Sequence, residues 1–229
     1  MKAQWFLALV PAAAIAAFAC SGNGDDSLVQ GSGNAPPVDH PPIQVQGTSA
    51  SPRRLSTDQL RASLPIAFGN DATGAPITWK NGANPALSNP GIARSLGEPD
   101  YIDTTDEALD PSVLYAKFMD DAARNICGQG LDADATRTDP AQRALLRHVD
   151  LADTVESNPA GVDANLRYLK LRFHAVKVAE GDTATVAPLR ELFSTVSKAS
   201  TETDPKAKAR EGWNAVCVAL VTAPEFNLY

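Results

Sequence analysis

Apolar residues between residues 52 and 229 recur with the 3.6-residue period of α-helices. The clearest stripe predicts a helix for which Gly181 is the C-cap candidate: Val162, Leu166, Leu169, Phe173 and Val176. Three further helices are predicted around Val113, Leu114, Phe118, Met119, Ala122, Ile126 and Cys127; Val186, Leu189, Leu192, Phe193 and Val196; and Trp213, Val216, Cys217 and Leu220. Sustained strand-like alternation is missing, so the pattern predicts an all-α bundle of about six to seven helices.

Helix N-termini are predicted from pairs of Asp or Asn followed by Pro. The side-chain oxygen can accept a hydrogen bond from a free backbone N–H, and Pro is tolerated at the first helical position. The pairs are Asp110-Pro111, Asp139-Pro140, Asn158-Pro159 and Asp204-Pro205. A further helix is expected from Ser56, which forms a capping box with Gln59, and Pro65 is expected to end it.

Residues 69–110 are rich in Gly, Pro and Asn and predict a long loop. Ile77, Trp79 and Leu87 are its expected core anchors. Trp79 and Tyr101 are also candidates for contact with a partner, although aromatic residues more often anchor a core.

The first residues of the chain predict export. Lys2 precedes an apolar run from Trp5 to Phe18, which is short for a membrane span and contains Pro11. The run ends in small residues before Cys20. An ordinary signal peptide cut after residue 19 would leave the rest of the chain in the periplasm or the medium.

The segment Ala17-Phe18-Ala19-Cys20 resembles the lipobox of bacterial lipoproteins, with Ala17 and Phe18 where Leu and a small residue are usual. In that family the Cys thiol is acylated and becomes the new N-terminus. The resemblance implies a signal peptide over residues 1–19 and a lipid anchor on Cys20. Ser21 in the next position differs from the Asp that is associated with inner-membrane retention, and this favours an outer-membrane location in the cell envelope.

Residues 20–51 are predicted to be a lipid-anchored flexible linker. Residues 21–51 contain five Gly and four Pro and lack Lys and Arg. About 30 such residues reach on the order of 30 Å, enough to lift a domain off a lipid surface. Residues 52–229 then form one helical domain of ordinary size.

The charge of the chain limits its partners. The formal net charge is -7, and removal of residues 1–19 deletes one Lys and no acid, which gives 19 - 27 = -8. An acidic chain argues against nucleic acid as a partner. It also offers no polybasic patch for anionic lipid, so membrane association is expected to come from the acyl chains.

Cys127 and Cys217 lie on the apolar faces of two predicted helices and are expected to form a disulfide, because exported proteins keep such bonds. Two separately buried thiols are the alternative. A metal pair is less favoured, because no His or acid clusters with them.

The sequence signals for a metal or cofactor site are weak. The chain lacks Cys-x-x-Cys-His, the usual motif for c-type haem. His40, His148 and His174 have no metal-spaced partner. The run Asp132-Ala-Asp134-Ala-Thr136 begins like a calcium loop, but Arg137 stands where Gly is needed and Arg143 where Glu should close the site. No metal or cofactor is therefore predicted.

Two short stretches carry a second resemblance: Arg53-Arg54-Leu55-Ser56-x-x-Gln59-Leu60, and Trp213-x-x-Val216-Cys217-x-Ala219-Leu220-x-x-Ala223-Pro224-Glu225-Phe226. They resemble the ends of secreted helical proteins of unknown function that are associated with c-type cytochrome modules in environmental bacteria. The two stretches span 22 residues in total. The resemblance implies an exported component that works beside another secreted protein, and it transfers no catalytic residue.

The function expected from these patterns is a lipid-anchored accessory or binding module that docks a second exported protein or an extracellular polymer. The alternative is an enzyme or redox-complex subunit that uses acids such as Asp120, Asp121 or Glu225. Local signatures of nucleophilic, metalloprotease or phosphate-loop chemistry are absent from the sequence.

Overall fold

The computed structural model describes residues 52–229, which contain seven α-helices and one short β-hairpin and confirm the predicted all-α fold. The predicted signal peptide, Cys20, the linker and His40 lie outside the described residues. The elements in chain order are α1 (Thr57–Phe68), β1 (Lys80–Asn81), β2 (Asn84–Pro85), α2 (Pro90–Ser95), α3 (Val113–Thr136), α4 (Pro159–His174), α5 (Ala187–Ala199), α6 (Pro205–Thr222) and α7 (Pro224–Asn227).

Helix α1 begins as predicted and ends later than predicted. The Ser56 hydroxyl accepts from the Gln59 N–H, and the Gln59 side chain accepts from the Ser56 N–H. The expectation that Pro65 ends the helix was wrong. Pro65 has no backbone N–H to donate to the preceding turn of the helix. Its carbonyl nevertheless accepts from the Gly69 N–H at 2.8 Å. The helix runs on because Phe68 is buried in the core, and Gly69 then leaves it with a φ of 73°.

Helix α3 begins two residues after the predicted start at Asp110-Pro111. Ser112 is the N-cap, and its hydroxyl accepts from the Tyr115 N–H at 3.0 Å. This start leaves Val113 89% and Leu114 49% exposed, so the prediction that they belong to the apolar face was wrong. Ser112, which lies closer to the buried residues of the helix, caps α3 in place of Asp110.

The predicted helix after Asp139-Pro140 is absent from the structure. Asp139 caps only a 3-10 turn over Pro140–Gln142. The buried Asp134 carboxylate then accepts the backbone N–H groups of Ala144, Leu145 and Leu146 at 2.9, 2.6 and 2.9 Å. Donors bound to a side chain cannot form a helical ladder, so residues 143–157 stay irregular while Leu145 and Leu146 are buried.

Helix α4 confirms the Asn158-Pro159 start, because the Asn158 side chain accepts from the Gly161 N–H at 3.0 Å. The C-cap prediction was wrong. The helix ends at His174 with Ala175 in the left-handed region at φ 55°, and Val176 is exposed beyond it, so Gly181 lies in the following turn.

Helix α6 confirms the Asp204-Pro205 start and lies between α3 and α5. The aromatic rings of Phe193 on α5 and Trp213 on α6 are centred 4.5 Å apart. Gly212 allows this approach, since a Cβ there would lie 2.8 Å from the Phe193 carbonyl oxygen. Pro188 lies in the first turn of α5, where its missing N–H costs no helical hydrogen bond.

The predicted loop over residues 69–110 contains short elements. Strands β1 and β2 pair antiparallel, a 3-10 turn covers Ala86–Ser88, and the Asn89 side chain caps α2. Ile77, Trp79 and Leu87 are buried as expected, which makes Trp79 a core residue. Among the helices of residues 52–229, none is both long and apolar enough to cross a bilayer.

Candidate functional site

The surface feature with the clearest binding character is a loop over residues 97–109, here called the Tyr101 loop. Its two ends are joined by a hydrogen bond from the Ala108 N–H to the Gly97 carbonyl at 3.2 Å. Compact loops with closed ends and 6–16 residues are often functional. The loop connects α2 to the start of α3 and leaves its central residues exposed.

A buried arginine clamps the base of this loop. Arg54, 2% exposed, donates from its guanidinium group to the carbonyls of Leu96 and Ala108 and to the Glu107 carboxylate at 3.1 Å. Its backbone N–H also binds the Leu109 carbonyl at 2.9 Å. The chain segments that enter and leave the loop are therefore both hydrogen-bonded to one buried side chain.

Gly97 is required at the clamp. Its φ is 92°, and a Cβ at this position would lie 2.7 Å from a terminal nitrogen of Arg54 and 2.9 Å from the Ala108 carbonyl oxygen. Any side chain would push the guanidinium group away from the loop base. The carboxylate of Glu107 completes the clamp by accepting from the Thr57 N–H at 2.8 Å, which connects the loop to the first turn of α1.

A second carboxylate fixes the tip. Asp100 accepts from the backbone N–H groups of Ile102, Asp103 and Thr104 at 3.0, 3.0 and 3.1 Å. These backbone hydrogen bonds lower the pKa of Asp100 to about 2. Tyr101, which lies between Asp100 and Ile102 in the chain, has a φ of 60°, a backbone conformation that residues other than glycine rarely adopt.

The tip presents apolar side chains to solvent among acids. Tyr101 is 73% and Ile102 87% exposed. Residues 97–109 contain five Asp or Glu and no Lys, Arg or His. Glu98 pairs with Arg61 and Glu107 with Arg54, whereas Asp103 and Asp106 are exposed and form no ion pair with any residue of the range 52–229. The loop therefore combines an apolar tip with uncompensated negative charge.

The structure joins Cys127 of α3 to Cys217 of α6 by a disulfide, with Cα atoms 5.9 Å apart. Both residues lie in the core between these helices and are inaccessible to solvent. The bond therefore acts as a crosslink within the core. It lies away from the surface that could meet a partner.

The histidines occupy separate places. The His174 ring donates a hydrogen bond from Nε2 to the Leu220 carbonyl at 2.8 Å. The His148 ring packs edge-on against Tyr168. Partial burial, followed by the positive charges of Arg147 and Arg167, lowers the pKa of His148. Within residues 52–229, no three His, Cys, Asp or Glu side chains converge on a possible metal position.

The acids of the calcium-like run diverge at the end of α3. Asp134 is buried and its oxygens are occupied by backbone N–H groups and by Arg137, at 2.9 Å. Asp132 points outward and binds Arg210 at 2.6 Å. The two carboxylates are therefore held by separate partners.

The acids suggested for an enzyme do not converge either. Asp120 binds Arg124, and this hydrogen bond lowers the pKa of Asp120. Asp121 binds Lys117 instead, at 2.5 Å. Glu225 lies in the first turn of α7. Asp120 and Asp121 are thus held by separate cations on α3, and Glu225 lies on a different helix.

Sequence reasoning identified Tyr101 but missed Arg54 and Asp100, which position it. The available signals were an arginine two residues before the capping residue Ser56, and Asp100 two residues before Ile102 in a loop rich in polar residues. Neither signal is specific without the fold. Comparison with family models, curated proteins and solved structures finds no match for this chain.

Proposed function

We propose that this chain is an exported, lipid-anchored binding module whose Tyr101 loop docks a basic exported protein. The observation that carries the proposal is the exposure of Tyr101 and Ile102 on a loop that Arg54 and Asp100 hold in place. Tyr is enriched among residues that dominate binding energy at protein interfaces. The proposed module therefore acts through one small, rigid contact surface.

The loop conformation supports this proposal. A left-handed residue with a side chain costs about 1–3 kcal/mol, and such residues concentrate at functional sites. Tyr101 carries this cost without packing its ring into the core. A loop that is already ordered loses little entropy on binding, which increases the affinity available from a small contact.

The charge of the loop selects the partner class. Exposed Asp103 and Asp106 follow the apolar tip in the chain, and the whole chain has a net charge of -7. Complementary charge accelerates encounter and disfavours wrong partners. A protein surface that combines Lys or Arg side chains with an apolar pocket fits this tip best.

The proposed location follows from the N-terminal segment. Acylation of Cys20 would hold the chain on a membrane surface, with the outer membrane favoured, and residues 20–51 would give the domain a reach of about 30 Å. A tethered module raises the local concentration of its partner at that surface. The resemblance to secreted proteins that work beside cytochrome modules agrees with a role as an accessory component, although it names no partner.

The test places a photo-crosslinking amino acid at Ile102 in the full-length chain, produced and exported in the source cells. The matched control places it at Ile66, an exposed apolar residue of α1 outside the loop. Irradiation at position 102 is expected to give one stoichiometric adduct with an exported protein that has a Lys- or Arg-rich surface. The control position is expected to give no such adduct.

A charge variant makes the test specific. Asp103→Asn with Asp106→Asn should reduce the adduct yield at position 102 several-fold, because the partner loses its electrostatic attraction. Equal labelling at positions 66 and 102, an adduct with a second copy of this chain, or no adduct would each overturn the proposal.

A further inference from the structure

Four arginines surround a polar cavity of about 330 Å³ on a part of the surface that is separate from the Tyr101 loop. Arg137 caps the end of α3, Arg143 and Arg147 lie in the irregular segment that follows, and Arg172 lies near the end of α4. Asn70 and the Tyr168 side chain complete the wall used in this argument. The volume is at the lower end of the range for small-molecule sites, about 300–1,000 Å³.

The guanidinium groups are held by backbone oxygens. Arg137 donates to the Asn70 carbonyl, Arg143 to the Arg137 carbonyl at 3.0 Å, and Arg147 to the Ala141 carbonyl. Arg172 donates to the Ala67 carbonyl at 2.7 Å and to the Tyr168 hydroxyl at 3.1 Å. Carbonyl oxygens orient an arginine without neutralising it. The guanidinium groups therefore keep their positive charge in fixed positions around the cavity.

The charges around the cavity do not balance. Arg137 pairs with Asp134 and Arg143 with Asp150. Arg147 and Arg172 form no ion pair with any described residue, and the cavity lining includes no Asp or Glu. A surplus of two positive charges therefore remains in a chain whose net charge is -7.

A histidine, His148, directly follows Arg147 in the chain. Its ring packs edge-on against Tyr168 of the cavity wall. The positive charge of Arg147 contributes, after partial burial, to the lowered pKa of His148. The unpaired Arg147 and Arg172 make the cavity favourable for an anion and unfavourable for a cation.

We propose that this cavity binds a phosphate monoester group, a dianion whose charge equals that of the unpaired Arg147 and Arg172. Planar guanidinium groups bind phosphate oxygens through two parallel hydrogen bonds. A carboxylate carries one charge and would leave one arginine uncompensated. The cavity is larger than one phosphate group needs, so the group can be part of a larger molecule or of a lipid headgroup.

The first experiment measures phosphate binding by isothermal titration calorimetry, at constant ionic strength, to the chain from residue 20 onward with Cys20→Ser. One inorganic phosphate per chain is expected, and acetate is expected to bind more weakly. Arg147→Gln with Arg172→Gln should weaken phosphate binding by about tenfold or more. The matched control, Arg94→Gln with Arg124→Gln, removes two exposed arginines elsewhere and should leave binding unchanged.

A conservative variant protects the test against misfolding. Arg147→Lys with Arg172→Lys keeps both charges but loses the paired hydrogen bonds, so intermediate binding is expected. A thermal melt without phosphate checks that each variant folds. Loss of binding in the Gln variant with retention in the control supports the site, whereas equal loss in both double variants, or acetate binding as tight as phosphate, overturns it.

A vesicle experiment distinguishes the two sources of the phosphate group. Vesicles of phosphatidylcholine with added phosphatidic acid present a phosphate monoester on a surface, and vesicles of phosphatidylcholine alone do not. Cosedimentation that depends on phosphatidic acid and on the two arginines identifies a lipid headgroup, while calorimetric binding without cosedimentation identifies a free phosphate compound. If phosphate does not bind in the calorimeter and the protein does not cosediment with phosphatidic acid vesicles, the proposal is overturned.

Discussion

Replacement of Arg54 by Met tests whether one buried side chain holds the Tyr101 loop. Met keeps much of the volume of the stem but removes every donor of the guanidinium group. The Glu107 carboxylate and the carbonyls of Leu96 and Ala108 would lose their partner. The cation also lies 5.1 Å from the centre of the Tyr115 ring, and this contact would be lost as well.

The expected loss is large because the Arg54 side chain is buried, so water cannot easily replace its donors. Breaking a buried ion pair by removing one partner costs about 3–5 kcal/mol. Glu107 is 17% exposed and keeps its hydrogen bonds from the Thr57 N–H and hydroxyl, so part of its charge stays compensated. We therefore expect a fall of about 3 kcal/mol in the free energy of unfolding, near the lower end of that range.

Urea denaturation followed by circular dichroism measures this change. With a slope of about 2 kcal/mol/M, the midpoint should fall by about 1.5 M. Hydrogen exchange should also accelerate at residues 97–109 more than in the core of α6. Arg53→Met is the matched control, because Arg53 is an exposed neighbouring arginine, and its effect should stay within about 0.5 kcal/mol. Equal effects of the two substitutions, or unchanged exchange in the loop, would refute the reasoning.

Three further predictions follow from separate features. Cys127→Ala with Cys217→Ala opens a crosslink of sequence separation 90, so the free energy of unfolding should fall by about 4–5 kcal/mol, seen as a lower melting temperature without reductant. Cys20→Ser should remove acyl chains from the exported protein and move it from the membrane fraction to the soluble fraction, as mass spectrometry and fractionation can show; an unchanged mass and location would contradict the lipid anchor. The lowered pKa of Asp100 means that its stabilisation is present above the ordinary value of 3.8 and is lost as the pH falls through about 2, so amide signals of Tyr101 should stay unchanged from pH 7 to 4 and shift only near pH 2. A shift centred near pH 4 would indicate that the backbone hydrogen bonds of Asp100 are absent in solution.

The helices that were predicted well have caps that act over two or three residues. Asn158 binds Gly161 and Asp204 binds Lys206, so both donor and acceptor lie in one short stretch of sequence. The apolar stripes of α4 and α6 then follow from burial on one face. Local chemistry and the core favour the same structure in these helices.

The same Asx-Pro motif failed at Asp139 because the Asp134 side chain binds backbone N–H groups that another helical turn would need. Asp139 makes its local cap to the Ala141 N–H at 2.8 Å, as the motif predicts. The next donors, at Ala144, Leu145 and Leu146, belong to Asp134. A carboxylate with no exposed surface cannot go without such partners, so its demand outweighs the intrinsic preference for another helical turn.

The two candidate sites depend on these buried charges. Arg54 holds the loop that presents Tyr101, and Asp134 holds the irregular segment that carries Arg143 and Arg147. A single charge that binds several backbone groups can fix an irregular segment that has no ladder of its own. It follows that substitution of either charge should abolish binding at one site while leaving the other intact. Arg54→Met should thus remove partner crosslinking at position 102 and preserve phosphate binding, which separates local positioning from a general loss of folding.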